Sequence, residues 1–275
     1  MWELESCATL DDETIPEGST RRFLPKLHLL YHELSPTQRA YSYVIDTAEF
    51  DRHLDLLTAV RSDPAFALWP ELTFDDGHLS DFDHALPALQ SRGLTARFFI
   101  TVGWTDKKSG YMGWRELRSL HESGQLIGAH GWSHTLLTHC TKEDLDRELT
   151  RSRLLLEDKL GTSITTMSLP GGRHDRRVLT ACKEAGYSKV FTSEPKAQDM
   201  TSGFTIGRLN IRGDMKMDWI RHLFEPGSTT LSGLERKYRV KIAAQRLLGD
   251  RLYDKVWSVL NEKESQAVEG GRKAE

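Results

Sequence analysis

Short apolar runs alternate with amphipathic segments along most of the chain. The run at 27–34 has the apolar character of a buried strand, whereas 48–60 places Phe50, Leu54 and Leu57 at helical spacing. The same alternation continues to residue 211. The other predicted strands are 66–74, 95–102, 125–130, 164–170, 189–193 and 204–211, and the other predicted helices are 83–92, 114–124, 141–160 and 175–185.

Six or seven such repeats favour an α/β fold with a mainly parallel sheet, either open or closed into a barrel. We predict an N-terminal arm at 1–25, a barrel domain at 26–224, a helical C-terminal extension at 225–263 and a disordered tail at 264–275. In barrels of this kind, the active site lies at the carboxyl ends of the strands. The residues that directly follow predicted strands are therefore the first candidates for catalysis.

Composition and net charge exclude some classes of binding partner and indicate the cellular compartment. A net charge of -3 gives no basic surface for nucleic acid or anionic lipid. The three cysteines are widely spaced and form no C-x-x-C pair, which is typical of reduced thiols in a cytoplasmic protein. The N-terminus lacks the apolar run of a signal peptide, and no segment is apolar enough to span a membrane, so we expect a cytoplasmic location. The C-terminal region, with Trp257 and Leu260, is a candidate homo-oligomer contact, although simple packing against the barrel is the favoured interpretation.

Metal-compatible side chains follow several of the predicted strands. Asp75 and Asp76 come after the strand at 66–74, and His130 ends the strand at 125–130. His134 follows His130 by four positions, and a helical turn there would bring the two residues to about 5–6 Å at Cβ, close enough to share one ion. His28 and His32 have the same spacing but lie on a predicted strand, about 13 Å apart, and cannot share an ion.

Each motif also has a structural interpretation without chemistry. His130 and His134 could be partly buried histidines that bind loop carbonyls, and one aspartate could cap the next helix. Two adjacent carboxylates, however, repel one another, and capping needs only one. Two histidines and a carboxylate leave coordination positions open for water and substrate, while a second carboxylate can act as general base. This ligand set suits zinc, and also cobalt, nickel or iron.

These residues together resemble the polysaccharide deacetylase family, carbohydrate esterase family 4. The resemblance rests on the Thr-Phe-Asp-Asp-Gly sequence at 73–77 and the His-x-x-x-His sequence at 130–134, and extends from about residue 27 to 211. It implies a distorted, TIM-barrel-like β/α barrel that removes N- or O-linked acetyl groups from sugars. By position, Asp75 would be the general base, and Asp76, His130 and His134 would be the metal ligands.

The third motif of the family departs from its pattern in this chain. The family has an arginine two residues before a proline and an aromatic residue after the second glycine, but here those positions hold Ser168 and Arg173. Pro170, Gly171 and Gly172 keep a turn whose backbone N–H groups, with that of Arg173, could bind an oxyanion. The arginine that would hold the base is missing from this segment.

The last motif of the family lacks its proton-donating histidine. The matching stretch is 209–214, and Asp214 stands where the histidine is expected. Asp214 could itself be the acid, or His32 or His174 could reach the site from another strand end, or the chain does not deacetylate. We favour His32, because it also follows a predicted strand.

The leading hypothesis is a metal-dependent hydrolase that removes an acetyl group from an N-acetylated sugar or glycan precursor, through attack by a water that the metal activates. The missing arginine and histidine leave a second hypothesis, a catalytically idle sugar-binding protein of the same fold. A third is a metal-dependent amidase that acts on a non-sugar amide, such as a cyclic one.

Overall fold

The computed structural model describes residues 24–37, 41–199, 201 and 203–248. Strands and helices alternate through most of this length. The strands are β1 (Lys26–Tyr31), β2 (Glu33–Ser35), β3 (Val44–Asp46), β4 (Trp69–Phe74), β5 (Ala96–Ile100), β6 (Leu126–Ala129), β7 (Thr166–Ser168), β8 (Lys189–Phe191), β9 (Thr205–Ile206) and β10 (Arg208–Asn210). The helices are α1 (Thr47–Ser62), α2 (Leu86–Gln90), α3 (Trp114–Glu122), α4 (Lys142–Asp146), α5 (Ser152–Leu160), α6 (Arg176–Glu184), α7 (Met217–His222) and α8 (Thr230–Leu248).

Eight of the strands form one sheet in the order β10-β1-β4-β5-β6-β7-β8-β9, and every neighbouring pair is parallel. The edge strands β9 and β10 are separated in the chain by Gly207 alone, so the segment 205–210 connects the two edges of the sheet. A Cβ atom at Gly207 would lie 2.6 Å from the Glu194 carbonyl oxygen, which explains the glycine at this close approach. The predicted α/β fold with a mainly parallel sheet is confirmed.

The register of the sheet aligns the carboxyl ends of its first strands. β1 pairs with β4 along six residues, up to Tyr31 opposite Phe74, and Phe74 in turn pairs with Phe98 of β5. The Phe74 and Phe98 rings stack with centroids 4.7 Å apart, and both side chains are buried. Residues that follow these strands therefore emerge at a similar height above a rigid aromatic layer.

Several elements differ from the sequence prediction. The predicted strand at 27–34 is divided at His32, because its second part, β2, pairs with β3 in a separate two-stranded sheet. The predicted helix at 83–92 starts earlier, with a π-helical segment at Asp81–Ala85. The predicted strand at 204–211 is divided at Gly207, because its two halves pair with opposite edges of the sheet.

The chain divides into two compact units, Met1–Thr229 and Thr230–Glu275. The structure describes the second unit only as α8, a 19-residue helix. Residues 1–23 of the predicted arm, the predicted tail, and Trp257 with Leu260 lie outside the described residues. Within the described residues, no helix combines the length and the apolar character that crossing a bilayer requires.

Candidate active site

Most of the predicted site residues lie at or near the carboxyl ends of three strands of the sheet. Asp75 and Asp76 follow β4, His130 follows β6, and Ser168 is the last residue of β7. β4, β5, β6 and β7 lie side by side in the sheet in this order. The parallel arrangement thus gathers residues almost a hundred positions apart in sequence.

Asp76, His130 and His134 form a cluster that could hold a metal ion. One donor atom from each lies within 4.8 Å of the others. Asp76 Oδ1 is 3.4 Å from His130 Nε2 and 3.2 Å from His134 Nε2. The same oxygen is buried and has no hydrogen-bond partner among the described residues. A buried carboxylate oxygen faced by two imidazole nitrogens fits a divalent cation, because the cation would satisfy all three donor atoms.

The orientation of His130 supports this interpretation. Its Nδ1 donates to the Ser168 carbonyl oxygen at 2.8 Å, so Nε2 presents its lone pair to the cluster when the ring is neutral. Burial alone would lower the pKa of His130, but the negative charges of Asp75 and Asp76 outweigh it and raise that pKa. The cluster therefore attracts positive charge, which a metal ion supplies without a proton.

His134 reaches the cluster through a loop rather than through a helical turn. The backbone at 131–134 is irregular, with Gly131 at φ 79° and His134 at φ 62°. The predicted helical turn is therefore wrong, although the two imidazoles do meet, with ring centroids 5.0 Å apart. The left-handed conformation costs energy at a residue with a side chain, so surrounding contacts must maintain it.

The main chain of this loop is held by the loop after β5. The N–H groups of Val102 and Gly103 donate to the carbonyl oxygens of Gly131 and Trp132, at 3.1 and 2.8 Å. The Trp104 ring lies beside the His134 ring, with centroids 5.3 Å apart. His134 is thus restrained on the side of the loop that follows β5.

Asp75 is not part of the cluster of three ligands, and its carboxylate is bound by Arg208. Arg208 Nη1 and Nη2 donate to Asp75 Oδ1 and Oδ2 at 2.7 and 2.8 Å, a bidentate pair in which both side chains are buried. Ser168 Oγ also donates to Asp75 Oδ2, at 2.9 Å. Burial alone would raise the pKa of Asp75, but Arg208, with a contribution from His130, lowers it below its ordinary value. Asp75 is therefore ionised near neutral pH, as a general base must be.

Arg208 binds Asp75, the residue that the resemblance would pair with the arginine missing from the third motif. The guanidinium comes from β10 instead of the turn after β7, and its Nη2 lies 2.7 Å from the Oγ of Ser168, the residue at the motif's arginine position. Its Nε donates to the Thr192 carbonyl oxygen at 3.2 Å. Sequence reasoning missed this residue, although an arginine inside an apolar strand was a signal, since a buried charge requires a partner.

The three candidate proton donors lie in different surroundings. His32, directly after β1, lies among the site residues, and burial lowers its pKa while the charges of Asp75 and Asp76 oppose the shift. Its Nδ1 is buried without a partner among the described residues. The Asp214 side chain is 65% exposed and pairs with Arg212 at 3.2 Å. His174 Nδ1 faces the Gly172 carbonyl oxygen, 3.4 Å away.

The predicted oxyanion turn forms a single 3₁₀ turn at Pro170–Gly172, directly after the strand that ends at Ser168. Gly171 and Gly172 have φ values of 64° and 68°. The Gly172 N–H donates to the Leu169 carbonyl oxygen at 2.8 Å, so this amide is used within the turn. The assignment of Pro170, Gly171, Gly172 and Arg173 to substrate or oxyanion binding stays a prediction.

Comparison with known proteins agrees with this geometry. Residues 70–190 match the polysaccharide deacetylase family model, and the match includes both the Asp75–Asp76 and His130–His134 motifs. The protein YxkH of Bacillus subtilis is 24% identical over 203 residues, which cover 68% of this chain and 71% of YxkH. Over residues 70–190 the chain is therefore similar to the polysaccharide deacetylase family.

Two further similarities concern a shorter segment and the fold. Peptidoglycan-N-acetylglucosamine deacetylase PgdA of Listeria monocytogenes is 30% identical over 108 residues, which are 39% of this chain and 22% of PgdA. The solved structure of Streptococcus pyogenes deacetylase PplD in complex with acetate has a TM-score of 0.66 at 18% identity, with 74% of this chain and 99% of that chain covered. At this level of identity, the structural match demonstrates a shared fold.

Proposed function

We propose that this chain is a metal-dependent carbohydrate deacetylase that hydrolyses the acetyl amide of an N-acetylated sugar. The main observation behind the proposal is that the adjacent carboxylates of Asp75 and Asp76 lie in different surroundings. Asp76 has a buried oxygen that lacks a partner and faces two imidazoles, whereas Asp75 is held ionised by Arg208. The first arrangement suits a cation and the second suits a base.

Asp76, His130 and His134 would hold the ion, and zinc is our first choice among zinc, cobalt, nickel and iron. A divalent ion supplies Lewis-acid polarisation of the acetyl carbonyl and lowers the pKa of water. Asp75 would be the general base for that water, and its Oδ2 lies beside the cluster, 3.8 Å from His130 Nε2. Asp75 accepts the proton that the water loses as its oxygen attacks the acetyl carbon.

The leaving sugar nitrogen needs a proton when its bond to the acetyl carbon breaks. We assign this role to His32 rather than Asp214, because His32 lies among the site residues and Asp214 is exposed and paired with Arg212. Burial lowers the pKa of His32 while the charges of Asp75 and Asp76 favour its protonated form, so a protonated His32 would release its proton readily to the amine.

A sugar-binding protein without catalytic activity would not need the buried, ionised carboxylate of Asp75. Two buried charges are costly to desolvate, and recognition of a neutral sugar does not require them. The ionised Asp75 and its Arg208 partner therefore favour catalysis over binding alone. The relation to PgdA, whose name gives peptidoglycan N-acetylglucosamine as its substrate, supports an N-acetylglucosamine unit as the first substrate class to test.

The function is tested by measuring acetate release from N-acetylglucosamine oligomers, O-acetylated sugars and a cyclic amide. We expect release from the N-acetylated oligomers. Turnover of the cyclic amide alone would favour the non-sugar amidase, and oligomer binding without any acetate release would favour the idle sugar-binding protein.

The proton donor is tested with His32→Gln and Asp214→Asn. His32→Gln is expected to lower kcat on N-acetylated sugars by about 10²- to 10⁴-fold, while Asp214→Asn leaves kcat close to wild type. An activated aryl acetate ester needs no protonation of its leaving group, so the His32→Gln defect should be much smaller on that substrate. Equal losses on both substrates, or a large loss in Asp214→Asn, would reject the assignment.

A further inference from the structure

A buried carboxylate outside the site residues contacts the loop that joins the two histidines. Glu148 lies in the helical stretch from Lys142 to Leu160, at a π-helical segment, Arg147–Arg151, between α4 and α5. Its side chain is fully buried. π-Helical turns are rare, and they often occur at functional sites. This one carries a charged residue into the protein interior, where a charge needs compensation.

The compensation comes from the loop at 131–134. Glu148 Oε2 accepts the N–H groups of Trp132 and Ser133 at 2.7 and 2.9 Å, and Oε1 accepts Ser133 Oγ at 2.7 Å. The Arg147 guanidinium is farther away, with Nη2 4.0 Å from Oε1. The carboxylate is therefore bound mainly by the loop, and the loop is folded around the carboxylate.

The close approach extends to the residue that follows His130. A Cβ atom at Gly131 would lie 3.0 Å from Glu148 Oε2, and the glycine has a left-handed backbone that residues with side chains rarely adopt. Trp132 and Ser133, whose N–H groups Glu148 binds, lie between His130 and His134. Fixing both amides fixes the path of the chain between the two imidazoles.

We infer that Glu148 is a positioning residue that holds the loop at 131–134 in the conformation in which His134 can share a metal ion with Asp76 and His130. The inference rests on the metal site of the proposed function. It adds a residue from a different helix, one that acts through backbone amides without touching the ion.

The test compares Glu148→Gln with a matched control, Glu157→Gln, in the full chain. Glu157 is on the same helical stretch and also accepts a backbone N–H, from Ile164 at 3.0 Å, together with Arg153 Nη1 at 3.0 Å. Both variants remove one carboxylate charge and weaken hydrogen bonds to backbone N–H groups, two at Glu148 and one at Glu157. Only Glu148 contacts the loop between the histidines.

The readouts are the Kd for Zn²⁺, from competition with a chelating indicator, and the visible spectrum of the Co²⁺-loaded protein. We expect Glu148→Gln to weaken Zn²⁺ binding by about 10- to 100-fold and to change the Co²⁺ spectrum, while Glu157→Gln changes neither. Circular dichroism of both variants establishes that the fold is kept. If Glu148→Gln does not fold, Ser133→Ala, which removes one donor to Glu148, should weaken Zn²⁺ binding in the same direction.

Wild type and His134→Ala are titrated beside these variants. Zn²⁺ binding by Glu148→Gln as tight as by wild type, or an equal loss in Glu157→Gln, overturns the inference and leaves the proposed function standing. Zn²⁺ binding by wild type no tighter than by His134→Ala overturns the metal site and the inference together.

Discussion

Asp75→Asn is expected to reduce the kcat for acetate release by about 10²- to 10⁴-fold. The amide has nearly the same shape as the carboxylate but cannot accept a proton from water. Its oxygen can still accept a hydrogen bond from Arg208, so the surroundings should change little. The measurement is acetate released under saturating substrate by wild type and variant.

Metal content provides the control for Asp75→Asn. Asp75 is outside the cluster of three ligands, so the variant should bind as much metal as wild type. Activity equal to wild type would exclude Asp75 as the base. Loss of the metal together with activity would make Asp75 a ligand and contradict the division of roles between the two aspartates.

Arg208→Met is expected to lower both activity and stability. The substitution leaves the Asp75 carboxylate buried without its bidentate partner, and breaking a buried pair typically costs about 3–5 kcal/mol. Burial then acts on Asp75 without the opposing charge, so the pKa of Asp75 rises. Asp75 will be ionised only at higher pH, and the acidic limb of the kcat profile should move to higher pH.

The pH dependence of the stability of wild type and of Arg208→Met follows from the same change in the pKa of Asp75. In wild type the pKa of Asp75 is lower in the folded than in the unfolded state, so its charge stabilises the fold above the unfolded pKa of about 3.9 and that contribution is lost as pH falls. In Arg208→Met the order is reversed, and ionisation destabilises the fold as pH rises. The free energy of unfolding of Arg208→Met should therefore differ from that of wild type more at pH 7 than at pH 4.

Arg208→Lys is the matched variant for this prediction. It keeps the positive charge but cannot form the two parallel hydrogen bonds to Asp75. We expect a smaller loss of stability and an intermediate pH profile. An acidic limb at the same pH in wild type and Arg208→Met would mean that Arg208 does not set the protonation of the base.

The sequence predicted the parts of the site that follow from periodicity and strand ends. Residues after strands of a parallel sheet meet at one face, and the positions of Asp75, Asp76 and His130 follow from this rule. The helical spacing of the apolar residues in α1, where Phe50 and Leu54 are buried, was also predicted from the sequence. Local composition is enough for these features, because each depends on residues close in the chain.

The remaining features depend on contacts between distant residues. Arg208 and Asp75 are 133 positions apart, and their pairing requires β10 to lie beside β1, which no local pattern indicates. The left-handed conformation of His134 likewise depends on contacts outside its own segment, including the hydrogen bonds that hold Gly131 and Trp132. A helical turn was the simplest interpretation of the four-residue spacing, and tertiary contacts replaced it with a loop.

The proposed deacetylation depends on a metal ion that Asp76, His130 and His134 would hold. The most direct test strips the purified wild-type chain with a chelator, reloads it with Zn²⁺, and measures metal content and acetate release from an N-acetylglucosamine oligomer at each step, with His134→Ala in parallel. We expect activity to disappear with the metal, to return as about one ion per chain is restored, and never to appear in His134→Ala. Full activity in the stripped wild type, or metal content unchanged in His134→Ala, would contradict this expectation.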